Sequence, residues 1–198
     1  MASKPFSDPP TRAHAYENLR DFAEVLPDHW WLEAGTCLGF FREGDFIGHD
    51  LDLDFGILAE DFSWDIVNEL VRRGFGIHRV YGARDHGLEI RMARHGIKCD
   101  IFLFYRNGEE LWHAAWRNGG ADFKRDIIYL VFERALLMDR AALEIEAPVG
   151  PPIHAFVPER TEDYLRARYG KHWAEPNPNW RWDLDPRCIV PKYRPAQK

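Results

Sequence analysis

The stretch HDLDLDFGI at 49–57 is where the chain concentrates groups able to do chemistry. Side chains alternate along a strand, so Asp50, Asp52 and Asp54 share one face while Leu51, Leu53 and Phe55 take the other. Neighbouring carboxylates there lie roughly 7 Å apart along the chain. Like charges so placed repel, and burial raises the cost unless a cation neutralises them. A divalent ion, Mg²⁺ or Mn²⁺, held by an Asp-x-Asp pair resolves the conflict, because such ions take oxygen ligands and share them with substrate phosphates. An exposed strand with one wet acidic face produces the same pattern, so the triplet needs company.

Two further features supply it. Gly35 and Thr36 stand at a strand-to-helix junction, where free backbone N–H groups and a hydroxyl can grip a phosphate. Arg42, further along that helix, adds positive charge. Asp100 interrupts the apolar run IKCDIFLFY, and a buried carboxylate requires a partner. It can complete a metal cage with Asp52 and Asp54, act as general base toward a hydroxyl, or serve as a hydrogen-bonded structural Asp. Lys98, two residues earlier on the same face, can pair with Asp100 or contact a phosphate.

The elements that must position these groups read as follows. Residues 11–26 place Tyr16, Leu19, Phe22, Ala23 and Leu26 on one helical stripe stopped by Pro27. HWWLEA reads as a short strand, CLGFFRE as a short helix ended by Gly44, and 49–58 as a strand. Ser63 caps a helix with Ile66, Val67, Leu70 and Val71 inward, closed by Gly74. FGIHRVY, LEIRMA and IKCDIFLFY are strands, and Asn107-Gly108 turns the last into LWHAAW. Residues 120–150 fit helix and strand equally. ERTEDYLRARY is a helix ending at Gly170, followed by a tail rich in Pro, Asn and Trp. Together these predict an α+β (mixed α/β) fold with a twisted mixed β-sheet flanked by helices.

Composition narrows the function. The 198 residues suit one domain, with 45% hydrophobic and 29% charged residues and no apolar run long enough to span a bilayer. The N-terminus lacks the apolar core of a secretory signal. Three cysteines, Cys37, Cys99 and Cys188, are too few and too scattered for a disulfide framework, so the cytoplasm is the expected setting. A net charge of −6 argues against a nucleic-acid partner. Four of the negative charges, however, are Asp50, Asp52, Asp54 and Asp100, and gathered on a metal they would attract phosphate.

The order strand, Gly-Thr, helix, D-x-D strand and later Asp-bearing strand is the layout of the nucleotidyltransferase fold. More narrowly, the chain resembles the fukutin/LicD family of CDP-dependent phosphotransferases. The resemblance lies in GTCLGFFREGDFIGHDLDLDFGI (35–57), GLEIRMARHGIKCDIFLFY (87–105) and VPERTEDYLRARYGKHWAEPNPNWRW (157–182), and in Tyr169, Gly170 and Trp173 of the tail. It implies transfer of an alcohol phosphate (ribitol phosphate, glycerol phosphate or phosphocholine) from a CDP-linked donor to a hydroxyl of a glycan or small acceptor, with release of CMP. Carried over position by position, Asp52, Asp54 and Asp100 match the catalytic, metal-holding carboxylates, Gly35 and Thr36 the phosphate-facing turn, and Arg42 the helix arginine. The resemblance divides the chain into an N-terminal helix packed on the core (1–29), a catalytic domain (30–182) and a tail (183–198).

The chain departs from the family pattern at Gly48-His49, where many members carry Pro-Trp, and at Leu51, where some carry Asp. Two rival functions use the same residues: transfer of NMP from an NTP with release of pyrophosphate, and a binding module that kept the fold without the chemistry. The nine histidines form no metal-ligand spacing, and His95 with Cys99 makes a poor zinc pair. Arg166 and Arg168 on the last helix can reach phosphate, though solvated helix charges are the commoner reading. The tryptophans of the tail, Trp173, Trp180 and Trp182, read as packing or as stacking surfaces for a base or sugar.

Overall fold

The computed structural model describes residues 4–177 and 179–195. In chain order the elements are α1 (Pro9–Val25), β1 (Trp30–Leu32), α2 (Ala34–Glu43), β2 (Asp52–Leu58), α3 (Trp64–Arg72), β3 (Gly76–Ala83), β4 (His86–Arg94), β5 (Ile97–Asn107), β6 (Glu110–Trp116), α4 (Phe123–Asp126), β7 (Ile127–Glu133), β8 (Arg140–Ile145), β9 (Ile153–Pro158) and α5 (Thr161–Tyr169). Five strands run in the order β1-β2-β5-β4-β3, and β5 continues through β6 to β7. Only the β2–β5 pair is parallel, so the sheet is mixed and mostly antiparallel. β8 and β9 form a separate hairpin. This is the α+β architecture the sequence predicts.

Local chemistry explains the helices nearest the site. In α1, Asp8 caps the first turn by accepting from the Thr11 N–H, and two prolines occupy the first positions, where no N–H is needed. Its Leu19 and Phe22 are buried, and Phe22 stacks on Phe55 of β2 at 4.3 Å. The Ser63 hydroxyl caps α3 through the Asp65 N–H. Ile66, Val67 and Leu70 point inward as predicted, but Val71 is exposed, because the buried stripe of this short helix is narrower than the apolar run.

Register sorts the sheet into two faces. Leu53, Cys99 and Met92 lie side by side on β2, β5 and β4, as do Phe55, Ile101 and Ile90, and all six are buried, with Asn18 and Phe22 of α1 reaching Cys99 and Phe55. On the other face the same strands align Asp52 with Lys98 and Ala93, and Asp54 with Asp100 and Arg91. Gly56 belongs to this second face, and a Cβ there would overlap the Trp31 indole at 2.4 Å, so glycine lets the ring lie flat on the strand.

Candidate functional site

The site begins where β1 turns into α2. Glu33 caps the helix by position and points its side chain inward, so its carboxylate is fully buried. It accepts from the Trp31 indole N–H at 2.9 Å and from Arg168 Nη1 at 2.5 Å. Arg168 of α5 is thereby buried in an ion pair rather than solvated as its helix position suggests. His113 Nε2 lies 3.9 Å from the same carboxylate, but burial and then the Arg168 charge push its pKa far down, so the imidazole is neutral. Ala34, next in the chain, takes a left-handed φ of 45°, and its N–H donates to the buried Tyr164 hydroxyl at 3.1 Å. A non-glycine residue in that region costs about 1 kcal/mol, and α5 holds the strained junction through Tyr164 and Arg168.

This junction fixes β2 from the side. The Thr36 hydroxyl accepts from the Asp54 N–H at 2.9 Å, and the Glu33 N–H donates to the Asp54 carbonyl at 3.0 Å. Both backbone groups of Asp54 are therefore tied to the start of α2, and Thr36 has its proton left to donate. Gly35 lies against Asp50: a Cβ there would sit 2.8 Å from Asp50 Oδ2. The glycine thus admits the Asp50 carboxylate against the first turn of α2.

The acidic face follows from this placement. Asp52 and Asp54 stand on β2, and Asp50 lies just before it, in a turn held by Phe6 N–H to Asp50 O and Asp50 N–H to Ile47 O. The expected strand from 49 therefore starts three residues later, and Leu51 is exposed instead of joining the apolar face. Among the described residues, no hydrogen bond or ion pair reaches the carboxylate of Asp50, Asp52 or Asp54. Burial pushes all three pKa values up, and neighbouring carboxylates add to it, Asp52 acting on Asp50 and Asp54, and Asp100 on Asp52 and Asp54. Asp54 lies well above the usual carboxylate range despite the Arg168 charge, Asp52 is raised against Lys98 and Arg91, and Asp50 is raised to about 6.

Asp100 is different. Arg91 of β4 forks onto it, with Nε to Oδ1 at 2.7 Å and Nη2 to Oδ2 at 2.6 Å, and reaches Glu89 at 3.4 Å. Its partner is thus Arg91 rather than Lys98, and burial still raises its pKa against those bonds. Glu89, buried beside Asp100, is raised further. Lys98 aligns with Asp52 and makes no ion pair among the described residues. Its charge lowers the pKa of both Asp52 and Asp100.

The donor chemistry fits a hard divalent cation: oxygen ligands only, two of them on Asp52 and Asp54 with no protein partner. One oxygen each from Asp52, Asp54 and Asp100 do not gather within 4.8 Å of one another, and Asp100 is held back by Arg91. Beside this face opens a cleft of about 910 Å³ walled by Gly35, Arg42 and Asp50 on one side and by Trp173, Trp180 and Arg187 on the other. Arg42 also bonds Glu43 at 2.5 Å. Lys171 and Arg187 add cationic groups, Glu175 and Asp185 acidic ones, while Trp173 and Trp180 offer flat apolar ones. Trp182 is exposed, and Arg166 pairs with Glu162 and Asp163 at the surface.

The structure brings Asp52, Asp54, Asp100 and Lys98 together on one face, and sets Gly35 and Arg42 on the adjoining cleft wall. Sequence reasoning passed over Arg91, Glu89 and Glu33. Arg91 carried one usable signal, a cation in the alternating strand LEIRMA whose face points the same way as a buried Asp on a neighbouring strand.

A mixed sheet with an Asp-x-Asp strand beside a strand-to-helix turn defines a nucleotidyltransferase-type domain. The chain belongs to the LicD/FKTN/FKRP family, whose nucleotidyltransferase domain matches residues 28–134. It is 32% identical over 185 residues to ribitol-5-phosphate transferase FKTN of Mus musculus, covering 91% of this chain and 37% of that protein. The Homo sapiens protein of the same name is 30% identical over 165 residues, 82% of this chain and 33% of the relative. An uncharacterized protein of Rickettsia typhi is 28% identical over 116 residues, 54% and 34% of the two chains. The chain therefore spans roughly a third of the length of these relatives. No helix among the described residues is long and apolar enough to cross a membrane.

Proposed function

We propose that this chain is a cation-dependent phosphotransferase. It moves ribitol phosphate, glycerol phosphate or phosphocholine from a CDP-linked donor to a hydroxyl of a glycan or small acceptor, and releases CMP. The observation that carries this reading is the set of unpartnered carboxylates, Asp50, Asp52 and Asp54, on a half-buried face beside a cleft that carries Arg42, Lys171 and Arg187. The names of the mouse and human relatives favour ribitol phosphate as the transferred group.

Asp52 and Asp54, joined by Asp100, would hold Mg²⁺ or Mn²⁺, which when bound supplies positive charge against the donor's diphosphate. The chain's own residues do the rest. Arg42, Lys98 and the first turn of α2 at Gly35 and Thr36 orient and neutralise phosphate oxygens. Trp173 or Trp180 gives the cytosine a stacking surface in the cleft. Asp50, which lines this cleft, takes the acceptor's proton in this reading. The acceptor oxygen forms its bond to the alcohol phosphate as the bond to CMP breaks, and the leaving CMP carries the electron pair. Cys37, Cys99 and Cys188 are free and buried, which suits a reducing compartment, and we place the chain in the cytoplasm.

Incubation with CDP-ribitol, CDP-glycerol and CDP-choline in the presence of Mn²⁺, read as CMP release, tests the proposal. CMP from one of these donors is expected. Pyrophosphate from an NTP with no CMP from any CDP-alcohol would replace it with NMP transfer.

A further inference from the structure

A second cluster of metal-ligating side chains lies where α1 meets the β4–β5 turn. His14 and Glu17 are three residues apart on α1 and so share a helical face. The His95 ring stacks on His14 with centroids 4.2 Å apart and 14° between planes, and His95 Nε2 lies 3.5 Å from Glu17 Oε2. One ligand atom from each of the three falls within 4.8 Å of the other two, and among the described residues no other trio of His, Cys, Asp or Glu does so.

These residues stand on fixed backbone. Arg94 pairs with Ile97, and between them His95 and Gly96 take φ of 57° and 78°, the geometry of a tight two-residue hairpin. Asn or Gly fills the first position of such a turn at least cost, and His also tolerates it, so the turn fixes the backbone of His95 without deciding its role. Ligands at 2.0–2.1 Å around a tetrahedral zinc are about 3.3 Å apart and bind through lone pairs in the ring plane, so the His14 and His95 rings must turn out of their stack for both to face one ion. Half-exposed His95 and exposed Glu17 leave room for water as a further ligand. Burial, then the His14 and Arg94 charges, favour the neutral, ligating form of His95.

We infer that His14, Glu17 and His95 form a site for a borderline-soft divalent metal of the zinc class. Two imidazoles and one carboxylate select such an ion over Mg²⁺, for which the oxygen-only acidic face is suited. The site is independent of the function proposed above. Its occupancy would clamp α1 to the turn that joins the strands of Arg91 and Asp100.

The test uses the full chain, stripped with EDTA and titrated with zinc chloride by calorimetry and by melting temperature. The wild type is expected to bind one equivalent and to melt several degrees higher with zinc. The surface variant His14→Ala/His95→Ala should bind at least about 100-fold more weakly and lose the shift, while Asp52→Asn/Asp54→Asn keeps both. With Cu²⁺ as probe, the electron paramagnetic spectrum should show two coordinated nitrogens in the wild type alone. Zinc binding unchanged by the histidine substitutions, lost only with the aspartates, or absent at about 1 mM would overturn the inference.

Discussion

Leu53 and Asp54 are neighbours in the chain and stand on opposite faces of one sheet. Leu53 lies in a row with Cys99 and Met92, all fully buried. Asp54 lies in a row with Asp100 and Arg91, where burial and like charge both oppose ionisation. The first face meets its cost of order through apolar contact. The second has several carboxylates with raised proton affinity, which the charges of Arg91, Lys98 and Arg168 oppose without cancelling. Strand alternation builds both at once, so one face stabilises the sheet while the other holds charge in readiness for a ligand. Function should respond to changes on the acidic face, and stability to changes on the apolar one.

Four substitutions sharpen or break that contrast. The largest effect is expected for Asp100→Asn, which should cut turnover by about 10²–10³-fold while the far-ultraviolet spectrum and cooperative unfolding persist. Loss of folding instead would make the Arg91–Asp100 fork a structural pair. Next is Phe55→Ala, which removes the ring stacked on Phe22. Urea unfolding should show a loss of about 3–5 kcal/mol, with turnover per folded molecule unchanged.

Asp50→Asn should do the reverse and stabilise the cation-free protein. The folded pKa of Asp50 is about 6 against 3.8 for the free side chain, so the folded state binds the extra proton between these values. Stability linked to Asp50 is present in full below about pH 4 and is lost as pH rises through about 6. The variant should therefore match the wild type near pH 4 and exceed it by about 2–3 kcal/mol above pH 6. Paired denaturation curves across that range in EDTA check the sign, and equal stability at both ends would refute it. The smallest effect is Ala34→Gly, which relieves the left-handed φ at the α2 junction. A gain of about 1 kcal/mol or less is expected in the same assay.

Much of the acidic face was legible in advance because its signals are local. Alternation in 52–58 showed which aspartates share a side, and Asp100 stood out as a lone charge in an apolar run. Where β2 begins was not legible, since contacts of Phe6 and Ile47 with Asp50 draw residues 49–51 into a turn. Arg91 and Arg168 were missed for a related reason. Each looks like an ordinary outward cation in its own element, and only cross-strand register or the packing of α5 on the β1–α2 junction brings it to a buried carboxylate. The ambiguous 120–150 segment splits into α4, β7 and β8, each too short for its periodicity to separate helix from strand.

The central claim is that the unpartnered carboxylates of β2 run a cation-dependent transfer of an alcohol phosphate. Its most direct test is the rate of CMP release from CDP-ribitol with and without Mn²⁺, compared between the wild type and the Asp52→Asn/Asp54→Asn variant. The wild type should release CMP only with the cation, and the variant, still folded and no less stable, should be slower by about 10³-fold or more. A folded variant that released CMP at the wild-type rate, or a wild type indifferent to the cation, would contradict the account.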